Sequence, residues 1–510
     1  RRLGPMVAAV GLLLITVAVL DLRASNAGVE RTESRLGPTP ITVFRSTPAD
    51  LADGANPLPI VVIAHGFAGS QQLMQPFAVT FARNGYLAVT FDYYGHGRNL
   101  EPLAGDVTEV EGATRFLLEQ TQAVVDYARS LPGTRNDVTL LGHSMASDII
   151  VRYAQMNPRV DATIAVSMFS PAVTAEQPEN LLVIVGGLEG FLKEEALRVL
   201  GLVTEEPREG TTVGSFTDGS ARRVAFADGV EHVGVLYSQE SMREAVAWAN
   251  QVYGRSGIDY ADSRGLALVA LLVGVCLLAW PLSRLLPVVS EPARGAGLPW
   301  RRLLPAALVP AIATPLLLWW FPADFMGVLV GGYLAIHFLV YGLVTAACLW
   351  WFGRPGTNEL QSKTRLPQLL LAILLASIYV AGLMALVLDT HVTSFAITAP
   401  RLPLVFLMLA GTLSYFLADE WLNRGVGFAR FGHLFSRFCF LLSLLIAVAL
   451  SFEDLFFLLI IAAVIVIYFL VYGLFSRWIY QATGHPAVGA IANAVAFAWA
   501  LAAVFPMLSG

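Results

Sequence analysis

A chain of 510 residues with 56% hydrophobic and 14% charged side chains is too apolar for an ordinary soluble protein, and it is long enough for two or three domains. Its net charge of −5 gives no reason to expect a nucleic-acid partner. The three cysteines, Cys276, Cys348 and Cys439, all fall in apolar stretches, so neither a disulfide framework nor a metal cluster is indicated.

In chain order, Arg1 and Arg2 precede the apolar run Met6–Leu22, which reads as an uncleaved N-terminal anchor over residues 1–22. The alternative is a cleaved signal peptide; the chain retains the segment and lacks an initiator methionine. A short tether from Leu22 to about Thr42 leads into a domain expected over residues 40–254. There, apolar β-type runs alternate with helical stretches, the pattern of a mostly parallel sheet covered on both faces. The strands are Pro59–Ala64, Leu87–Phe91, Val138–Leu141, Ala162–Met168, Leu181–Val185 and Arg223–Ala227. Helices fill Gln71–Asn84, Gly112–Ser130, Ala146–Gln155, Leu192–Leu200 and Ser241–Val252.

In such sheets active groups gather beyond the carboxyl ends of the strands, and four ends here carry chemistry. After the first strand comes His65-Gly66-Phe67-Ala68-Gly69-Ser70, a glycine-rich turn able to aim a backbone N–H at a carbonyl oxygen. Phe67, or else Ala68, would form an oxyanion hole with Met145. Gly142-His143-Ser144-Met145-Ala146 places a serine between a strand and a helix with small residues two positions away on each side, the nucleophile-elbow pattern. Glu189 follows the strand Leu181–Val185, and His232 follows the last strand. Ser144 as nucleophile, His232 as base and Glu189 as its orienting acid complete a triad in the order Ser, Glu, His. Asp228 and Glu231 are rival acids because they lie near His232 in sequence. Asp148 is expected to line the site, and Ser70 and Ser170 to serve as loop or capping serines.

The segment from about Thr42 to Gly254 resembles the α/β-hydrolase family, near its dienelactone-hydrolase and lysophospholipase-like branches. The matching residues are His65-Gly66-Phe67, Asp92-Tyr93-Tyr94-Gly95-His96-Gly97, Gly142-His143-Ser144-Met145-Ala146, Glu189 and His232. The Asp92–Gly97 loop follows a D-x-x-G-H-G pattern that usually shapes the site, and His96 reads as structural. Departures are Ala146 for glycine and Glu189 for the commoner aspartate. Only about a dozen residues separate Met168 from Leu181, where related lipases often insert a lid. A lidless α/β-hydrolase domain is therefore expected.

From Leu266 onward the chain is almost continuously apolar. Candidate spans are Leu266–Leu286, Leu303–Phe321, Phe325–Trp351, Leu366–Leu388, Leu402–Ala418, Phe438–Leu450, Phe456–Phe475 and Val488–Leu508. They make an all-α polytopic membrane domain over residues 264–510, with about eight spans beyond the N-terminal anchor. Arg1/Arg2, Arg294/Arg301/Arg302, Arg354/Lys363/Arg365, Arg424/Arg430/Arg437 and Arg477 fall in alternate connections. The intervening connections hold Asp324, Arg401, and Glu453 with Asp454. That bias predicts an inside N-terminus and an extracytoplasmic hydrolase domain in a plasma or inner membrane. Asp419-Glu420-Trp421-Leu422-Asn423-Arg424-Gly425, with Trp478–Gly484 and Ala492-Asn493-Ala494, resembles the CAAX-protease and bacteriocin-processing family. Where that family places histidines, this chain has Phe452-Glu453-Asp454 and Asn493, so proteolysis dependent on Glu420 is not the leading expectation. His433 and His485 read as interfacial, and His337 as a packing histidine bonded to a neighbouring carbonyl.

These features predict a serine hydrolase that cleaves or transfers an acyl group, as an ester or thioester, without metal or organic cofactor. Its short tethers keep the site near the bilayer and favour lipid or acyl-bearing substrates. The alternative is a structural or transport-related membrane subunit whose hydrolase-like domain binds without catalysis. Protein partners are not specified by the sequence.

Overall fold

Strands buried on both faces need apolar side chains pointing both ways, and β3 (Leu58–Ala64) shows the consequence: all its residues are buried. Val61 and Ile63 join one core cluster, while Ile60, Val62 and Ala64 join the opposite one. The computed structural model describes residues 3–47, 57–107, 109–256, 259–322, 325–352 and 363–509. Arg1, Arg2, Asp324 and Arg354, which entered the charge argument, lie outside the described residues. The chain divides into two compact units. One comprises Thr16–Ala270, Thr390–Ser394 and Pro506–Gly510, and the other Arg1–Ile15, Leu271–Asp389 and Phe395–Phe505.

The first unit holds a nine-stranded sheet, ordered β1-β2-β4-β3-β5-β6-β7-β9-β8. The strands are β1 (Val29–Leu36), β2 (Thr39–Ser46), β3, β4 (Leu87–Phe91), β5 (Thr134–His143), β6 (Ala162–Val166), β7 (Leu181–Gly186), β8 (Thr212–Val213) and β9 (Arg222–Ala227). From β4 through β9 the neighbours are parallel; β1, β2 and β8 add antiparallel pairings at the two edges. Phe77 and Phe81 of α2 (Gln75–Arg83) and Trp248 of α6 (Gln239–Val252) pack on one face. Val124 of α3 (Arg115–Ser130), with Ile149 and Tyr153 of α4 (Met145–Met156), packs on the other. Val199 and Leu200 of α5 (Gly190–Leu200) complete the cover near β7.

The six expected strands are all present; most change by a residue or two at their ends, while the strand expected over Val138–Leu141 runs from Thr134 to His143. The tether is different: α1 (Leu3–Asn26) runs four residues beyond Leu22, and the rest is the hairpin β1–β2, in register from Leu36↔Thr39 to Val29↔Ser46. Its tight turn passes through Gly37, whose φ of 58° suits glycine. Polar Glu30, Arg31, Thr32 and Glu33 hide β1 from an apolar pattern, because this edge strand is mostly exposed.

Among the described residues, nine helices are long and apolar enough to cross a membrane. After α1 these are α7 (Arg264–Ser283), α8 (Trp300–Leu318), α9 (Gly331–Phe352), α10 (Leu366–His391), α11 (Ala399–Leu422), α12 (Gly432–Leu450), α13 (Phe457–Thr483) and α14 (Pro486–Val504). The most enclosed is α14, with 72% of its apolar window buried, so it forms the centre of the helical unit. Fully buried Arg401 closes its end, donating from Nη1 to the carbonyls of Ala502 at 2.8 Å and Phe505 at 2.7 Å. The span expected over Phe438–Leu450 starts six residues earlier, at Gly432. The added turn is polar but satisfied: Ser436 Oγ donates to Asp419 Oδ1 at 2.9 Å, and Arg437 Nη1 donates to the Phe469 carbonyl at 2.6 Å. His337 meets Ser443 Oγ at 3.1 Å through Nε2, a hydroxyl partner rather than the expected carbonyl. At the start of α14, His485 Nδ1 accepts the Ala487 N–H at 3.2 Å, a capping role.

Candidate active site

Ser144 lies between the end of β5 and the first turn of α4, at φ 54° and ψ −119°. Few side chains adopt that region without cost, and small neighbours make room for it. A Cβ on Gly66 would lie 2.9 Å from Ser144 Cβ, and one on Gly142 would lie 2.7 Å from the Ala146 carbonyl oxygen. Ala146, in place of the usual glycine, is fully buried in the core cluster beneath α4. The Ser144 N–H is used by the Val166 carbonyl at 2.9 Å.

The sheet brings the three predicted residues together. His232 Nε2 is 2.9 Å from Ser144 Oγ, and His232 Nδ1 is 2.6 Å from Glu189 Oε1. The other Glu189 oxygen accepts from Ser167 Oγ and from the Gly186 N–H, each at 2.7 Å. Burial opposes ionisation of Glu189, but the hydrogen bonds from His232 and Ser167, the imidazole's charge and the Gly186 N–H together lower its pKa. Of the rival acids, Glu231 is spent on the N–H groups of Val233 and Gly234, both at 2.8 Å. The Asp228 N–H is held by Glu240 at 2.9 Å. Asp148 is likewise committed, accepting Ser170 Oγ at 2.6 Å and Arg152 Nε at 2.7 Å.

Met145 occupies the first helical position of α4, where a backbone N–H has no partner within its own helix. Phe67 follows Gly66 in the turn that passes against Ser144. His65 buttresses that turn: its Nδ1 donates to the Gly66 carbonyl at 2.8 Å, and its Nε2 accepts the Tyr93 N–H at 3.1 Å. Burial lowers its pKa and keeps it neutral. The D-x-x-G-H-G loop is shaped by Asp92, which accepts the Gln71 N–H at 2.8 Å and the Arg98 N–H at 3.0 Å. His96 Nδ1 donates to the Tyr94 carbonyl at 2.8 Å, a loop-shaping role. Ser70 Oγ accepts the Ser394 N–H at 2.9 Å and lies 2.9 Å from Thr393 Oγ1.

Two further residues, Ser167 and His143, support the site. The apolar pattern carries the strand on to Met168, but β6 ends at Val166 and Ser167 turns with φ 50°, which aims its hydroxyl at Glu189. His143 Nε2 donates to the His232 carbonyl at 2.9 Å; burial first, then the neighbouring imidazole, pushes its pKa down to about 3. Around the triad, Phe169, Leu188, Phe191 and Val233 are exposed, Leu188 by 67% and Phe191 by 68%. The rings of Phe169 and Phe191 lie 5.8 Å apart.

Residues 55–205 match the family described as serine aminopeptidase, S33. A search of curated proteins finds no match. A solved hypothetical protein from Pseudomonas aeruginosa aligns at 14% identity and a TM-score of 0.33, over 44% of this chain and 94% of its own. A membrane phospholipase A described as a bacterial virulence factor aligns at 13% and 0.33, over 48% and 93%. A CIB-like hydrolase from Thermoplasma acidophilum aligns at 13% and 0.33, over 43% and 95%. The matched family lies within the sheet-bearing unit, and the likeness of Leu402–Leu508 to the CAAX-protease family has no counterpart among these matches. The sheet-bearing unit has the α/β-hydrolase fold, and the family match lies within it, over residues 55–205.

Proposed function

We propose that the chain is a membrane-embedded serine hydrolase that cleaves or transfers an acyl group, with its hydrolase unit outside the cytoplasm. The observation that carries this reading is the continuous hydrogen-bonded chain Ser144–His232–Glu189, at 2.9 and 2.6 Å. His232 Nε2 takes the Ser144 proton as Oγ attacks the substrate carbonyl carbon. Negative charge develops on the carbonyl oxygen, which the N–H groups of Met145 and Phe67 receive. Glu189 fixes the imidazole tautomer and stabilises the imidazolium. His232 then protonates the leaving alkoxide or thiolate, and the acyl group remains on Ser144. Water, or an acceptor alcohol, gives its proton to His232 and attacks the acyl carbon, and His232 returns that proton to Ser144 Oγ as the acyl bond to it breaks.

An acyl-bearing substrate fits the exposed apolar rim of Phe169, Leu188, Phe191 and Val233, because each is next to or two residues from a group that holds the triad. The test is a fluorophosphonate probe on the purified full chain, beside Ser144→Ala and His232→Ala. Labelling of the wild type alone is expected, followed by turnover of esters that rises with acyl length. No labelling of a folded, detergent-stable sample would overturn the reading and put a binding or assembly subunit in its place.

A further inference from the structure

The helical unit carries a second polar site. Where α11 gives way to α12, and against the last turns of α13, a cavity of about 550 Å³ is lined by Glu420, Arg424, Arg430, His433, Arg437 and Arg477 among others. Buried Glu420 organises it, accepting Arg424 Nε at 2.8 Å with Arg437 Nη2 at 4.0 Å. Gly473 makes the space for Arg437, since a Cβ there would collide with the guanidinium. The other acid in the lining, Asp419, is taken up by Ser436 Oγ at 2.9 Å and Asn423 Nδ2 at 2.8 Å. Four guanidiniums and two carboxylates thus line the cavity. Among the described residues Arg430 and Arg477 form no ion pair and remain exposed.

The lip of the same cavity is apolar, with Phe431, Leu434, Leu470 and Leu474 all exposed. A soluble anion matches the guanidiniums alone, whereas an amphiphile with an anionic head matches both parts. Guanidinium forks suit phosphate oxygens geometrically, and basic pockets between membrane helices attract anionic headgroups. Arg424, Arg430, Arg437 and Arg477 also belong to the connections that the charge bias assigns to the cytoplasm, where anionic lipid is enriched. We propose that this cavity binds the phosphate headgroup of an anionic phospholipid. The proposal is independent of the hydrolase chemistry.

The test is native mass spectrometry of the purified full chain given equimolar phosphatidylglycerol and phosphatidylcholine. Wild type should retain phosphatidylglycerol preferentially. R430Q/R477Q should lower that preference by about fivefold per arginine removed, while R208Q, on the sheet-bearing unit, should leave it unchanged. Both cavity substitutions are at exposed side chains outside ion pairs, so folding should survive, and an unchanged detergent melting curve checks this. Lack of preference in the wild type, or equal preference in R430Q/R477Q, would overturn the assignment. So would binding that excess inorganic phosphate reproduces with no preference between the lipids.

Discussion

Glu189 does not meet His232 alone; Ser167 and the Gly186 N–H hold its other oxygen, so the carboxylate cannot swing away from the imidazole. Glu189→Gln keeps the shape but removes the charge and permits the wrong tautomer. It should lower kcat for an ester substrate by about a hundredfold to ten-thousandfold. Ser167→Ala removes one hydrogen bond to a charged acceptor, with a loss of about tenfold in kcat and little change in KM. Retained fluorophosphonate labelling would mark Ser167 as a positioning residue. Behind the site, His143 is expected to set an acid limit. His143 has a folded pKa of about 3 against an ordinary 6.5, and above 6.5 it is neutral in folded and unfolded chain alike. As pH falls from 6.5 toward 3, the unfolded chain takes up a proton that the folded site refuses, so stability is lost across that window. Glu189 adds to the loss at the acid end, because its lowered pKa stabilises the fold only while it stays ionised. Labelling capacity that survives brief heating should therefore decline below pH 6.5, and His143→Gln should flatten that decline. Ser144, Glu189 and His232 are legible in sequence because strand-end chemistry and chain order single them out. Ser167 is not, because an early strand end and a left-handed turn give a lone serine its role, and no local pattern encodes either.

At the scale of elements, what the sequence conceals are polar residues whose partners are distant. Asp419, Ser436 and Arg437 look like helix boundaries until their bonds are seen, Ser436 to Asp419 and Arg437 to the Phe469 carbonyl, and those bonds let α11 and α12 extend past the apolar runs. The hairpin β1–β2 is hidden for a related reason: a solvated edge strand needs no apolar face. The long apolar helices are legible because length and composition alone mark them, but composition does not say which helices touch. Glycine answers that for α9 and α11: a Cβ on Gly411 would strike the Ala335 carbonyl, and one on Gly342 would strike the Ser414–Tyr415 backbone. If these helices cross a bilayer, close approach of this kind draws its strength from backbone-to-backbone packing, because the medium supplies no hydrophobic drive. Gly411→Val or Gly342→Val should cost about 1–3 kcal/mol by overpacking, read as a lower melting temperature in detergent. Gly382→Ala, with nothing within 4 Å of its added Cβ, should leave the melting temperature unchanged or raise it. Equal loss in all three would mean that the cost does not come from the contacts at Gly411 and Gly342.

For the whole molecule, orientation decides which compartment the triad serves, and it rests on where arginine gathers between spans. Arg294 lies in the connection before α8 and Arg301 and Arg302 in its first turn, whereas the sheet-bearing segment precedes α7. If α7 crosses the bilayer, Glu209 and Arg301 are on opposite sides, since α7 is the one candidate span between them among the described residues. Both positions are exposed, and the native Cys348 and Cys439 are buried with Cys276 partly so. A background with these three cysteines changed to alanine therefore allows Glu209→Cys and Arg301→Cys to be read singly with an impermeant maleimide. In right-side-out vesicles Glu209→Cys should react and Arg301→Cys should not; in inside-out vesicles the order should reverse. Reaction of both from one side would mean that α7 does not cross. The opposite assignment would put the hydrolase unit in the cytoplasm, and acyl substrates of the inner leaflet would replace those of the outer one.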